Sequence, residues 1–365
     1  MDFKILVINP GSTSTKIALY RNEEEVFSTS ISHDINTISK YERIIDQFDF
    51  RRETILQELE KRGIKLEELS AVVGRGGLLR PIPGGTYKVT PKMLEHLKIG
   101  IQGEHASNLG GLLADSIAAP LGIPAFIVDP VVVDEMEPIA KVTGLPEINR
   151  RSIFHALNQK RVARLASKDL GKTYETVNLI VVHLGGGISI GVHKRGKVVD
   201  VNNALNGDGP FAPERAGSLP AWDLVKLVLS GKYTEGELKK KLAGKGGIVA
   251  HLGTNDMRDV EKRIEQGDKK AEFIMEAMAY NVAKWIGAGA TVLEGNVDAI
   301  VISGGLAYYQ KFIDWIKKRV SFISRILLYP GGDEMRALLE GALRVLRGEE
   351  EAKIYEDYLK EEEKK

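Results

Sequence analysis

Apolar runs and alternating segments follow one another in the same order twice along this chain. Residues 5–26, ILVINPGSTSTKIALYRNEEEV, hold an apolar run, a polar residue, a turn of small residues, an alternating strand, a charged hairpin and a third strand. Residues 179–199, LIVVHLGGGISIGVHKRGKVV, repeat that order. The alignment sets Ile5 on Leu179, Asn9 on His183, Gly11 on Gly185, and the hairpin Arg21-Asn22 on Arg195-Gly196. Self-similarity at so long a period predicts two copies of one supersecondary unit.

The remaining pattern predicts an α/β layer around each copy. Helical spacing runs over 40–62, 104–121, 152–168 and 272–292, the last with small residues on its apolar face. Buried strands are predicted at SAVVGRGG (70–77), IPAFIVDPVV (123–132) and VDAIVISGGLA (297–307). The charged stretch 349–365 reads as a solvated terminal helix.

Composition narrows the function. A length of 365 residues suits two domains better than one core. A net charge of +1 gives no pull towards nucleic acid or an anionic membrane. The chain has no cysteine, which excludes disulfide and thiolate chemistry and fits a reducing cytoplasm. MDFKILVI enters a strand at once, unlike a signal peptide. No apolar stretch reaches the roughly 20 residues that span a bilayer.

Three glycine-rich turns invite an anion. NPGSTSTK (9–16) offers backbone N–H groups, the hydroxyls of Ser12, Thr13 and Ser14, and Lys16. HLGGGIS (183–189) carries Gly185, Gly186 and Gly187, a costly run unless something needs bare backbone. Ser303, Gly304, Gly305 and Leu306 join a buried strand to a helix start, a place for an anion or the face of a base. ASKDLGKT (166–173) lacks the first glycine of a phosphate loop and follows a helix, so it is set aside. Arg75 in VVGRGG and Arg215 in GPFAPERAGSLP can grip carboxylate or phosphate in bidentate fashion. Asp129 ends a buried strand, where a carboxylate needs a metal, an arginine or water. His155 and His183 lie near these turns.

In order and nearly end to end, these segments resemble the acetate kinase family, within the sugar kinase, actin and heat-shock ATPase superfamily. The likeness is greatest to its butyrate kinases. It rests on NPGSTSTK, GRGG (74–77), EHASNLGG (104–111), DPVVVDEM (129–136), RRSIFHALNQKRVAR (150–164), HLGGGISIGVHKRG (183–196) and NNALNGDGPFAPERAGSLP (202–220). The resemblance implies two duplicated ribonuclease-H-like domains, mixed sheets flanked by helices, around a nucleotide cleft. Residues 1–150 with C-terminal helices of about 336–365 would form the first domain, bearing acid-binding elements, and 151–335 the second, bearing nucleotide-binding elements.

The activity implied is reversible transfer of phosphoryl from ATP to butyrate or a similar short-chain acid, giving acyl phosphate and ADP. Asn9, Arg75, Asp129, His155, His183 and Arg215 fall on the family's catalytic positions. Arg75 is assigned to the acid's carboxylate and Arg215 to the phosphoryl in transit. Both histidines would donate to its oxygens, while Asn9 and Asp129 orient the phosphates and Mg²⁺. Acetate kinases carry a metal-organising glutamate in the last glycine motif; Tyr308 stands nearest that place here, so metal placement is expected to fall more on Asp129. Gly76 and Gly77 replace bulkier residues and are expected to open room for extra methylenes, with Phe154 as another wall. The family also implies a cytoplasmic homo-oligomer, at least a dimer, built through the second domain. Competing readings are an acetate or propionate kinase, a kinase for a hydroxylated substrate using Asp129 as base, and a non-catalytic ATP switch.

Overall fold

In the computed structural model, which describes residues 2–362, the first apolar run becomes β1 (Lys4–Pro10). It pairs antiparallel with β2 (Ser14–Arg21), which pairs antiparallel with β3 (Glu24–Ser32). Helix α1 (Phe48–Lys61) follows, then β4 (Ala71–Arg75), β5 (Thr86–Lys88), α2 (Asn108–Ala118) and β6 (Ala125–Val128). Strands β4 and β6 extend the sheet in parallel, giving the order β3-β2-β1-β4-β6-β5. This sheet belongs to one unit, Met1–Val133 with Asp333–Lys365.

The other unit, Asp134–Gly332, repeats the plan. After α3 (Ala156–Asp169) come β7 (Asn178–Leu184), β8 (Ile188–Lys194) and β9 (Lys197–Val201), then α4 (Ala221–Leu229), α5 (Lys269–Val292), β10 (Ala299–Gly304), α6 (Gln310–Val320) and β11 (Ile326–Pro330). The order β11-β10-β7-β8-β9 has the same three antiparallel and two added parallel strands. Both sheets are therefore mixed and ribonuclease-H-like, as expected. Residues 134–150 lie with this unit, where Glu137 N donates to Val199 O (3.0 Å) and Arg150 pairs with Asp200 (2.8 Å).

The repeat is close, with one shift. In both β1 and β7 four buried residues precede a half-buried polar one, Asn9 or His183. A register irregularity follows at Leu19/Tyr20 and again at Val192/His193. However, Pro10 faces Thr15 while Leu184 faces Ile188, so the triglycine turn is one residue shorter. That shift places Arg21-Asn22 on Lys194-Arg195, not Arg195-Gly196, and puts Asn22 (φ 52°) and Arg195 (φ 49°) at the matching left-handed position.

Helices cover both faces of each sheet because side chains alternate along the strands. In the second unit Leu179, Val181, Ala299 and Val301 face α3, whereas Ile180, Val182, Ile300 and Ile302 face α5 and α6. A methyl on Gly289 of α5 would stand 3.2 Å from Val192, so the small residues do allow close packing. The chain then returns to the first unit as α7 (Glu334–Leu346) and α8 (Tyr355–Glu362). There Ile127 packs towards Gly111 of α2 and Val128 towards Gly341 of α7. Of the terminal helix expected over 349–365, residues 363–365 lie outside those described. Among the described residues no helix is long and apolar enough to cross a membrane.

Candidate active site

Topology gathers chemistry at the carboxyl ends of parallel strands, where open α/β sheets bind ligands. In the first unit β1, β4 and β6 are neighbours, and Asn9, Arg75 and Asp129 stand at their ends. Arg75 reaches its place because β4 and α2 meet through bare backbone. A methyl on Gly74 would overlap the Gly110 carbonyl, and one on Gly110 would overlap that of Arg75. Arg75 Nη1 donates to Glu334 Oε2 (2.9 Å) and Asn9 Oδ1 (3.3 Å), and Asn9 Nδ2 donates to the same carboxylate oxygen (2.8 Å). The ion pair is about one-third exposed on each side, 34% and 33%, so it can be exchanged for a ligand carboxylate.

Two residues of this cluster were not singled out in the sequence. Glu334 opens α7 after Gly331-Gly332 and the N-cap Asp333, at the joint between β11 and that helix. Tyr308 is exposed at the end of a 3₁₀ helix (Gly305–Tyr308), and Glu334 is the carboxylate that meets Asn9. His105 lies within EHASNLGG; burial, then the charge of Arg75, lowers its pKa. The Ser107 N–H donates to its Nδ1 (3.2 Å), so the neutral ring carries its proton on Nε2.

Asp129 is 3% exposed with a left-handed φ of 38°, a costly backbone for a non-glycine residue before proline. The strain is held by two bonds, Asp129 N to Gly85 O (3.0 Å) and Gly85 N to Asp129 Oδ1 (2.7 Å). The room expected beside Arg75 is not there. A methyl on Gly77 would stand 2.5 Å from the Asn108 Cα, and one on Gly76 would stand 2.6 Å from the Pro130 Cβ. Both glycines make space for protein.

In the second unit His155 and His183 stack, ring centroids 4.0 Å apart and 19° from parallel. Gln159 Nε2 donates to the Ser189 carbonyl (3.1 Å) and hydroxyl (2.8 Å). The same Ser189 hydroxyl meets His155 Nδ1 (2.8 Å) and so holds that ring from behind. His183 Nδ1 donates to Asn158 Oδ1 (2.7 Å), which also accepts from Ser303 Oγ (2.6 Å). Burial, then the Arg215 charge, brings the His183 pKa down to about 4. Neutral His183 thus carries its lone pair at Nε2. Phe154, just before this helix, is 2% exposed.

The triglycine turn is a seat for Arg215. A methyl on Gly187 would overlap its guanidinium, which donates to the Ala204 carbonyl, and Glu214 N donates to Gly186 O (3.2 Å). Burial lowers the pKa of Arg215. In SGGL the Ser303 hydroxyl is spent inward on Asn158, and Gly304 (φ 92°) lies against the Leu184 backbone. Gly305 has open space around it. Ser12, Thr13 and Lys16 are exposed at the tip of the first hairpin, with Ser14 half-buried.

A sequence profile of the acetokinase family matches residues 146–314, the part holding both stacked histidines and Arg215. A protein named butyrate kinase 2 from Clostridium acetobutylicum is 57% identical over 355 residues, spanning 97% of this chain and 100% of its own. The chain belongs to the acetokinase family. Solved members share the fold at low identity. An acetate kinase from Porphyromonas gingivalis has a TM-score of 0.78 at 21% identity, covering 94% of this chain and 100% of that one. A propionate kinase from Francisella tularensis subsp. tularensis gives 0.69 at 20% identity, covering 93% and 98%. As a member of this family the chain is a carboxylate kinase.

Proposed function

We propose that this chain transfers the terminal phosphoryl of Mg-ATP to butyrate, and to similar short or branched acids, reversibly. A carboxylate with a reference pKa of about 4.3 is already ionised at neutral pH, so no general base is required. One butyrate oxygen bonds to the γ-phosphorus as its bond to the β-phosphate bridging oxygen breaks, and ADP leaves with that electron pair. The obstacle is repulsion between anions, and charge that spreads over the equatorial phosphoryl oxygens.

Each task has a residue suited to it. Arg75, held by Asn9 and Glu334, takes the acid's carboxylate when the Glu334 pair opens, and neutral His105 donates from Nε2 beside it. Arg215, seated on the triglycine turn, takes the phosphoryl in transit, and His155 donates its Nε2–H. His183 keeps the His155 ring in place by stacking and becomes a second donor on gaining a proton beside polyphosphate. The first hairpin tip, with Ser12, Thr13, Ser14 and Lys16, and the turns at Gly185–Gly187 and 303–306 hold the nucleotide.

Mg²⁺ fits this donor set. Its hard character calls for carboxylate and amide oxygens plus phosphate oxygens and water, not an all-protein cage. Glu334, Asn9 and Asp129 supply oxygens of that kind, and among the described residues no three-residue metal cluster occurs. When bound, the ion would neutralise phosphate charge. We place the reaction in the cytoplasm, where ATP is available, and read the protein as at least a homodimer formed through the second unit. Support for the latter is α4, whose Trp222 (65% exposed) and Leu229 (76% exposed) present apolar surface.

The observation that carries the substrate assignment is the 57% identity to a butyrate kinase along its whole length. Its test is hydroxylamine trapping with straight and branched acids of two to six carbons. Butyrate or isobutyrate should give the highest kcat/KM, with each missing methylene costing about 10- to 200-fold. A maximum at acetate would move the assignment to an acetate kinase, and acid-independent ATP hydrolysis without hydroxamate would overturn the reading.

A further inference from the structure

Behind the first hairpin lies a cation that the proposed reaction does not use. Arg51 of α1 is 0% exposed, and its five N–H donors all have acceptors. Nε and Nη2 donate to Gln47 Oε1 (3.1 and 2.9 Å), Nη1 to Ser14 O (3.1 Å) and Thr15 Oγ1 (3.0 Å), and Nη2 to Ser12 O (3.1 Å). Every one of these acceptors is neutral. No carboxylate pairs with Arg51 among the described residues, although a buried charge is normally paired. Burial brings its pKa down to about 10, so the charge persists at neutral pH.

The bonds also set the direction of the turn. With the Ser12 carbonyl drawn inward to Arg51, the N–H on the other side of that trans peptide, at Thr13, faces outward. The Thr13 carbonyl is tied as well, accepting from His33 N (2.9 Å). His33 Nε2 meets the Thr15 hydroxyl (2.8 Å), and burial, then the Arg51 charge, takes its pKa down to about 4, so this ring adds no second charge. The exposed tip, Ser12-Thr13, therefore has donors turned out over an uncompensated cation.

We propose that Arg51 is a positioning residue that makes the 11–14 turn a receptor for the phosphate groups of a nucleotide, by aiming its peptides and by supplying positive potential from inside the core. A fixed turn with an outward N–H at Thr13 and exposed hydroxyls at Ser12 and Thr13, backed by a cation, is complementary to an anion and needs little reorganisation on binding. The incoming phosphate becomes the counter-ion that the core withholds. This rests on the reading of that turn as a nucleotide-phosphate site.

The test separates charge from structure. Gln47→Glu keeps the acceptor for both Arg51 bonds and adds the missing carboxylate, so it neutralises the cation while satisfying the fold. Calorimetry with Mg-ATP should give a Kd raised about five- to thirtyfold, with the melting temperature unchanged or higher and the KM for butyrate unmoved. A purely structural Arg51 would leave ATP affinity at the wild-type value in this variant. Lys16→Met, in the same hairpin but away from Arg51, is the companion. Should Lys16→Met weaken ATP while folded Gln47→Glu does not, Arg51 loses its role and the turn keeps its own. If neither variant weakens ATP, the turn itself is not a phosphate site. Where Gln47→Glu proves insoluble, Arg51→Lys, which keeps the cation, must bind ATP more tightly than Arg51→Met, and equal affinities overturn the proposal.

Discussion

At the scale of single residues, the second unit shows how an absent side chain can be as specific as a present one. Gly187 leaves the volume in which the Arg215 guanidinium lies, so the two form one feature. Arg215→Ala should lower kcat by about 10³-fold or more with the fold intact. Gly187→Ala leaves the arginine present and displaces it, and should lower kcat by about a hundredfold, since misplacement of order 1 Å has that effect. Single-turnover rates and circular dichroism on both variants check this pair. A Gly187→Ala enzyme with normal turnover would show that the seat is irrelevant. The histidines depend on their neighbours in the same way. Stacked rings of one residue type are held by different neighbours, the Ser189 hydroxyl at His155 Nδ1 and the Asn158 amide oxygen at His183 Nδ1.

At the scale of elements, the glycines of GRGG and LGG prove to be packing devices. Strand β4 and helix α2 approach so closely at Gly74 and Gly110 that neither tolerates a Cβ, and this contact sets Arg75 at the carboxyl end of a central strand. Gly77 sits against the backbone of Asn108 in the same joint. Gly77→Val should therefore destabilise the protein by about 1–3 kcal/mol or more, as overpacking does, without retuning acid preference. Urea unfolding together with an acid-specificity profile tests it. A variant of normal stability whose optimum moves to acetate would restore the view that this glycine lines the acid pocket.

At the scale of the whole molecule, histidines whose pKa values are lowered in the native state couple stability to pH, three of them most clearly. His33 and His183 have pKa values brought to about 4 by burial, and His193, enclosed by Tyr174 and Gln159, is held well below its ordinary value. The unfolded chain protonates these residues near pH 6.5, while in the native protein His33 and His183 gain the proton only at about pH 4 and His193 well below its ordinary value. The unfolded state therefore binds more protons in that window, and native stability falls as pH drops through it. Each histidine contributes up to about 1.4 kcal/mol per pH unit. Denaturant midpoints measured between pH 7.5 and 4.5 should fall steadily below about pH 6.5, and a flat profile would contradict buried neutral histidines.

Sequence by itself determined the duplication, the α/β character and most of the strand-end residues. Period-two and period-3.6 patterns record burial, and a chain that repeats its apolar run, turn and hairpin must repeat its sheet. It also held the family, through motifs that stay contiguous in the chain. Tertiary structure alone decided what depends on distant partners. Arg51 and Arg52 are neighbours in one charged helix, and only packing behind the first hairpin buries one of them. Glu334 reaches Asn9 and Arg75 across 325 and 259 residues of chain, a meeting no local pattern records. The one-residue shortening of the triglycine turn, the use of Gly76 and Gly77 and the stacking of the two histidines likewise follow from contacts between elements. Local sequence specifies which surface each segment buries; which charged group lies beneath a turn, and which carboxylate answers an arginine, is fixed by how those surfaces close on one another.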